Sequence, residues 1–247
     1  MKTLRNATTA LSVIAESPCP VSVGEIGDHL GLPRSSASRL LSSLRDGGLI
    51  EQDPLTRHYR PGALAWRLGV GFRPAGHDLD LLTGAMTALS QSTGFTCWMA
   101  VLDRTRIVLL RQHQGRTPAH FSVRLGQTLP AHTTAVGKAL LARLPDRGIT
   151  DLYGETLSQE TRNSLHDRAE LIENIRIVRE RGYAVSRQET FPGVVAVGAS
   201  IHGRASSCPI GLSLSFPAEM AESDRIARQL MDELAVIGRD LADPYWT

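Results

Sequence analysis

The segment that most restricts the fold is a tight turn, Gly31-Leu32-Pro33, leading into a stretch to Asp46 whose two faces have different chemistry. Ala37, Leu40, Leu41 and Leu44 follow the i, i+3, i+4, i+7 spacing of a helix that buries one side. Ser35, Ser38, Arg39, Ser42 and Ser43 fall on the other side. A solvated helix face normally carries paired Glu and Lys. This one is small, hydroxylated and centred on an arginine, so it can enter a DNA major groove without steric or electrostatic resistance. Arg34 and Ser36 stand at its start.

The neighbouring segments extend the pattern. Leu4, Ala7, Leu11 and Ile14 form one apolar stripe over residues 3–17, and Pro18-Cys19-Pro20 ends that helix. Ser22-Val23-Gly24-Glu25 is a capping box for a second, short helix reaching about Leu30. Pro33 suits the first turn of the third helix, and Gly47-Gly48 supplies a left-handed cap at its end. Leu49 to Gln52 and Arg57 to Arg60 then read as two strands joined by the turn-rich Asp53-Pro54-Leu55-Thr56. Helix, helix, turn, helix and hairpin is the order of a winged helix-turn-helix, with Arg57 and Arg60 where a wing meets phosphates. Over residues 1–73 basic residues outnumber acidic ones by three. A winged helix used for protein interaction would show the same helices, and lack of affinity for duplex DNA would distinguish it.

Gly69, Gly71, Pro74 and Gly76 predict a break, dividing the chain into residues 1–73, with the start of a linker helix, and residues 74–247. In the second part helices are expected over 78–92, 133–144, 167–181 and 218–241. Strands are expected over 96–102, 106–111, 121–123, 183–189, 194–201 and 209–215, with a turn over 203–207 before the last. That is an α+β domain, an antiparallel sheet flanked by helices.

Other classes find little support. No apolar run approaches the ~20 residues of a membrane span and the N-terminus is not a signal peptide, so a cytoplasmic protein is expected. Cys19, Cys97 and Cys208 are too scattered for a disulfide framework or metal knuckle. The net charge of +2 says little about partners. Gly198-Ala199-Ser200-Ile201-His202 fails as a nucleophile elbow at its last position, Gly69-x-Gly71 lacks the third glycine of a dinucleotide loop, and Gly137-Lys138 continues to Ala139 rather than Ser or Thr. No catalytic residue, cofactor or metal is expected.

Three segments together resemble the isocitrate lyase regulator (IclR) family of bacterial transcription factors. They are Gly31-Leu32-Pro33-Arg34-Ser35-Ser36-Ala37-Ser38-Arg39-Leu40-Leu41, the run from Leu129-Pro130-Ala131-His132 through Gly137-Lys138 to Ala142, and Arg181-Gly182-Tyr183-Ala184 continuing through Glu189 and Gly193 to Val194. The resemblance implies operator DNA as partner, a GAF- or PAS-like effector domain, paired DNA-binding domains, and assembly to a homodimer or homotetramer. It further implies a small organic acid near the start of the Gly-Lys-Ala helix, at Ala135, Val136, Ser186, Val194, Ala196 and Ser213. Free amides at a helix start suit an anion. Ser186 and Ala196 stand where some relatives carry an acid or cysteine, so the metal site of those relatives is not carried over. Lys138 is expected to pair with a carboxylate, His132 to cap the helix, and Trp98 to lie in the core or shape the pocket.

Overall fold

Residues 1–73 and 74–247 form separate units, the first built around one buried core and the second around two, one on each face of its sheet. The computed structural model describes residues 2–71, 78–117, 123–202, 208–220 and 223–246.

In the first half, α1 (Lys2–Glu16), α2 (Val23–Leu30) and α3 (Arg34–Asp46) surround Ala10, Ile14, Ile26, Leu41 and Leu44, closed by Ile50 and Tyr59 of the hairpin. Ser22 and Glu25 form the expected capping box, with the Glu25 amide donating to Ser22 Oγ at 3.2 Å and the Ser22 amide to Glu25 Oε2 at 2.7 Å. The wing strands are β1 (Ile50–Gln52) and β2 (Tyr59–Pro61), and Val21 adds a bridge to Tyr59.

Three expectations are corrected here. Pro33 is the N-cap of α3 rather than a residue of its first turn, because its ψ of 143° is still extended. Gly47 closes α3 with right-handed geometry, and the positive φ belongs to Gly48 alone. Arg57 is not on a strand but in the turn, at φ 62°. Of the expected break, Gly69 and Gly71 lie within α4 (Ala63–Gly71), where each glycine costs only about 1 kcal/mol against alanine, and Pro74 and Gly76 lie outside the described residues.

The second half is a six-stranded antiparallel sheet in the order β5-β4-β3-β8-β7-β6. Its strands are β3 (Thr96–Asp103), β4 (Arg106–His113), β5 (Thr128–Pro130), β6 (Ala184–Arg187), β7 (Val194–Ile201) and β8 (Ile210–Pro217). Alternation along the strands sorts the side chains to two faces. Across one face Cys97, Leu214, Val197 and Val185 stand in register and pack under α5 (Asp78–Thr93) and α9 (Ser223–Asp240). Across the other, Thr96, Ser215, Ala196 and Ser186 form one row, and Trp98, Ser213, Gly198 and Ala184 the next. That face is covered by α6 (Ala135–Leu141), α7 (Asp146–Leu152) and α8 (Arg168–Arg181).

Here too the boundaries shift. The helix expected over 133–144 is split into a single turn, Ala131–Thr133, and the shorter α6, because Thr134 caps α6 by accepting from the Gly137 amide at 3.1 Å. The strand expected to reach Glu189 ends at Arg187, since Gln188 turns the chain with φ 60°. The last helix begins at Ser223 rather than 218. Neither β5 nor α7 is anticipated. Residues 121–122 of an expected strand and the turn at 203–207 lie outside the described residues; Val123 is buried but belongs to no strand.

Helix α6 sits very close to the sheet. A Cβ at Gly137 would lie 2.2 Å from the Ala131 carbonyl oxygen, and one at Gly198 2.7 Å from the Val136 nitrogen, so glycine alone fits at both. Just after α6, Arg143 is clamped in place. Its guanidinium makes two bonds to the Asp243 carboxylate, at 2.9 and 2.8 Å, and two to Ser200, while it lies over the Tyr245 ring. Burial pushes the Asp243 carboxyl up, but Arg143 and the amides of His202 and Tyr245 outweigh it and hold the group below the usual carboxylate range.

Replacing Asp243 with Ala therefore strands a largely buried arginine and is expected to cost about 3–5 kcal/mol in urea unfolding. Because its folded pKa is depressed, the Asp243 contribution is present at neutral pH and is lost as pH falls below 3.8, its ordinary value, through the folded one. The stability gap between wild type and Asp243→Asn should narrow over that interval. A gap independent of pH would mean that the clamp does not depend on the ionised carboxylate.

Candidate functional site

The exposed face of α3 carries Arg34, Ser35, Ser38 and Arg39, while Ser36 and Ser42 are half-buried beside it. No acidic residue occurs between Arg34 and Arg45. Neither Arg34 nor Arg39 has an ion-pair partner among the described residues, whereas Arg45 is bonded to Asp46 at 2.8 Å. The wing treats its two arginines differently. Arg60 on β2 is opposite Glu51 on β1 and donates to it from Nε at 2.5 Å. Arg57 projects from the turn without an acidic partner among the described residues, its carbonyl accepting from Gln52 Nε2 at 2.9 Å. The tip is stiffened by Asp53, whose carboxylate accepts from the amides of Thr56 and Leu55 at 2.7 and 2.9 Å. Those amides hold the Asp53 carboxyl below its usual range.

In the second half the structure brings Ala135, Val136, Ser186, Val194, Ala196 and Ser213 to the wall of one cavity. It lies between α6, the small-residue rows of the sheet and the segment after β6. Trp98, Ile107, Leu109 and Phe191 supply further apolar wall, and Thr134, Thr190 and Ser215 further hydroxyls. Ser186 Oγ donates to the Thr133 carbonyl at 2.6 Å, and Thr190 Oγ1 to the same oxygen at 2.9 Å. Ser213 and Ser215 are buried, and their hydroxyls make no hydrogen bond with a described residue. No described residue of the wall is ionisable in the range of a carboxylate, histidine, lysine or arginine. The cavity is thus suited to a small, largely apolar molecule with a polar end.

Trp98, expected either in the core or at a pocket, is both, buried in the core on this face of the sheet and lining the cavity. Ser215 could have been found from the sequence, because it lies two residues beyond Ser213 on one strand and so shares its face. Thr134, Thr190 and Phe191 could not, since they lie on irregular backbone. Lys138 does pair with a carboxylate, that of Glu189, at 2.7 Å and 2.9 Å. His132 is not the cap of α6, that role being taken by Thr134. Its ring is buried, with Nε2 at 2.8 Å from the Ser158 carbonyl and an edge contact to Tyr153. Among the described residues, no cluster of three potential metal ligands occurs and no helix is long and apolar enough to cross a membrane.

A helix-turn-helix with a hairpin wing, followed by a curled antiparallel sheet under helices, is the build of a DNA-binding transcriptional regulator. The chain belongs to the IclR family: residues 3–54 match its helix-turn-helix domain and residues 79–242 the bacterial transcriptional regulator IclR C-terminal domain. Transcriptional repressor IclR of Escherichia coli is 28% identical over 92% of this chain and 84% of its own length, and the HTH-type transcriptional regulator XynR of the same organism 28% over 99% and 98%. The fold is shared with the IclR regulator of Alicyclobacillus acidocaldarius, at 21% identity and a TM-score of 0.78 over 100% and 99% of the two chains. An IclR homologue of Microbacterium hydrocarbonoxydans, solved in complex with 4-hydroxybenzoate, gives 18% identity and a TM-score of 0.78 over 97% and 99%. The protein is a transcriptional regulator, not an enzyme.

The unequal arginines of the wing predict unequal salt effects. Arg57→Ala should flatten the slope of log affinity against log salt by about one unit, as one phosphate contact is lost. Arg60→Ala should change it less while Glu51 is present, and by about one unit in a Glu51→Gln background. A sequence-selective loss at constant slope for Arg57→Ala would show that the wing reads bases instead.

Proposed function

We propose that this regulator acts in the cytoplasm as a homodimer or dimer of dimers on a pseudo-palindromic operator, and that a small organic acid in the cavity sets its DNA affinity. The observation that carries this reading is the pairing, in one cavity, of apolar walls with the uncommitted hydroxyls of Ser213 and Ser215. A carboxylate accepting from those hydroxyls, and from the amides of Ala135 and Val136 at the same wall, would be oriented by charge-assisted hydrogen bonds. Trp98, Val194 and Ala196 would then select the remainder by size. The 4-hydroxybenzoate held by the Microbacterium homologue supports an aromatic acid as one class to try, beside short aliphatic acids.

Pairing of the DNA-binding halves has its own support. Trp66 and Val70 of α4, one turn apart on one face, are 74% and 56% exposed, an apolar strip that a second copy would cover. An acid that favours one spacing of the paired recognition helices can shift operator affinity only by its differential affinity for the two arrangements. A coupling of about 1–3 kcal/mol is expected, and DNA must alter acid affinity by the same factor.

Arg39→Ala should reduce discrimination between operator and random duplex by about 1–3 kcal/mol in titrations with fragments of the adjacent promoter. Loss of affinity without loss of discrimination would assign Arg39 to the phosphate backbone, and absence of duplex binding by the wild type would favour a protein-interaction role.

For the cavity, a panel of 4-hydroxybenzoate and short aliphatic acids is screened by thermal stability, where an acid at 100 times its Kd adds about 2.7 kcal/mol. Ser213→Ala should weaken the acid that binds, and Ala196→Phe should abolish its binding, with operator affinity unchanged when no acid is present. Equal acid binding by both variants would place the effector elsewhere.

A further inference from the structure

The cavity wall contributed by residues 188–193 is held from outside by a pair of charges that never touches the cavity. Lys138 is fully buried in α6, the helix whose first residues line the cavity, and its ammonium grips both oxygens of Glu189, itself buried. Glu189 Oε1 also accepts from the Arg187 amide at 3.2 Å, tying the carboxylate to the end of β6. The backbone of the same segment is anchored on its other side. Ser164 Oγ donates to the Glu189 carbonyl at 2.7 Å, and Thr161 Oγ1 to the Gln188 carbonyl at 2.7 Å. The two residues that follow Glu189, Thr190 and Phe191, are the ones that line the cavity.

A buried ammonium has no substitute for its partner when that partner leaves, because water cannot reach it. Burial already pushes the Lys138 ammonium down from the usual lysine range, even with Glu189 in place. The segment also contains Gln188 at φ 60°, a conformation kept by its surroundings rather than by its own preference. Small displacements of Thr190 or Phe191 are therefore resisted, and a large one would require the ion pair, the Ser164 and Thr161 bonds and the Gln188 turn to yield together.

We propose that Lys138 and Glu189 are the positioning pair of this cavity, holding residues 188–193 as a strap that is either fully seated, with Thr190 and Phe191 at the wall, or released as a unit. Its regulatory meaning rests on the cavity being the effector site, but the test below needs no effector. Failure of the strap and failure of that reading are thus separate results.

The reporter is Trp98 on the cavity wall, made the sole tryptophan of the full chain by Trp66→Phe and Trp246→Phe. Two variants are compared in that background, Glu189→Gln, which leaves the ammonium unpaired, and Lys138→Met/Glu189→Met, which removes both charges. Acrylamide quenching of Trp98 and amide exchange of residues 187–194 should both rise at least threefold in each variant. The melting temperature should fall in Glu189→Gln and recover in the double variant, which separates positioning from stability. Quenching and exchange at the parental level in the folded double variant would overturn the proposal. Should neither variant fold, exchange in the unmodified protein decides. The bonded amides of Arg187, Gln188, Gly193 and Val194 opening together would uphold the strap, and opening one by one would refute it.

Discussion

Everything in the second half is arranged around the approach of one short helix to one sheet. Helix α6 has seven residues, all buried, and meets glycines of β7 and β8 at its closest points, with its backbone at Gly198 and with the Val136 and Leu140 side chains at Gly211. Gly198 meets the start of the helix, and a Cβ at Gly211 would lie 2.4 Å from the Val136 side chain. Because the helix is held so near at Gly198 and Gly211, Ser213, opposite Gly198, and Ala196 and Ser215 in the next row are left lining the cavity. The cavity is the complement of that contact. A larger residue in the contact would lift α6 and change the volume beside it, together with the direction of the Ala135 and Val136 amides.

The DNA-binding half was legible in the sequence because its information is local. Capping by Ser22 and Glu25, the apolar spacing from Ala37 to Leu44 and the turn at Asp53 each act within a few residues. The errors there concern single positions, Pro33, Gly48 and Arg57, where one dihedral decides. Helix α4 continues through Gly69 and Gly71, which the sequence reading places in the break after the start of a linker helix, and with only Leu64 and Ala65 half-buried it has no strong inward stripe to detect.

The second half was less legible for the converse reason. Its strands announce themselves through β-branched alternation, but β5 and α7 are short and take their form from what they pack against. At the site, Ala135, Val136, Ser186, Val194, Ala196 and Ser213 came from resemblance and not from spacing. Thr190 and Phe191 stand at the wall beside a glutamate whose carboxylate meets a lysine fifty-one residues earlier. No periodicity encodes a relation of that length.

The Arg143 clamp has a consequence for the order of events during synthesis. The guanidinium and its carboxylate are one hundred residues apart, and the carboxylate follows α9. A nascent polypeptide can form β3, β4 and α6 early, yet it carries an unanswered charge at the end of α6 until Asp243 has been made. With translation at about 5–20 residues per second, that interval lasts on the order of several seconds. During it the sheet is incomplete and its β3 edge is open, since β8, the strand that pairs with it, precedes the clamp by only a few turns of α9. The Arg143 clamp therefore closes only after β3, β4, α6 and β8 have all been made, and it joins the end of α6 to the segment after α9.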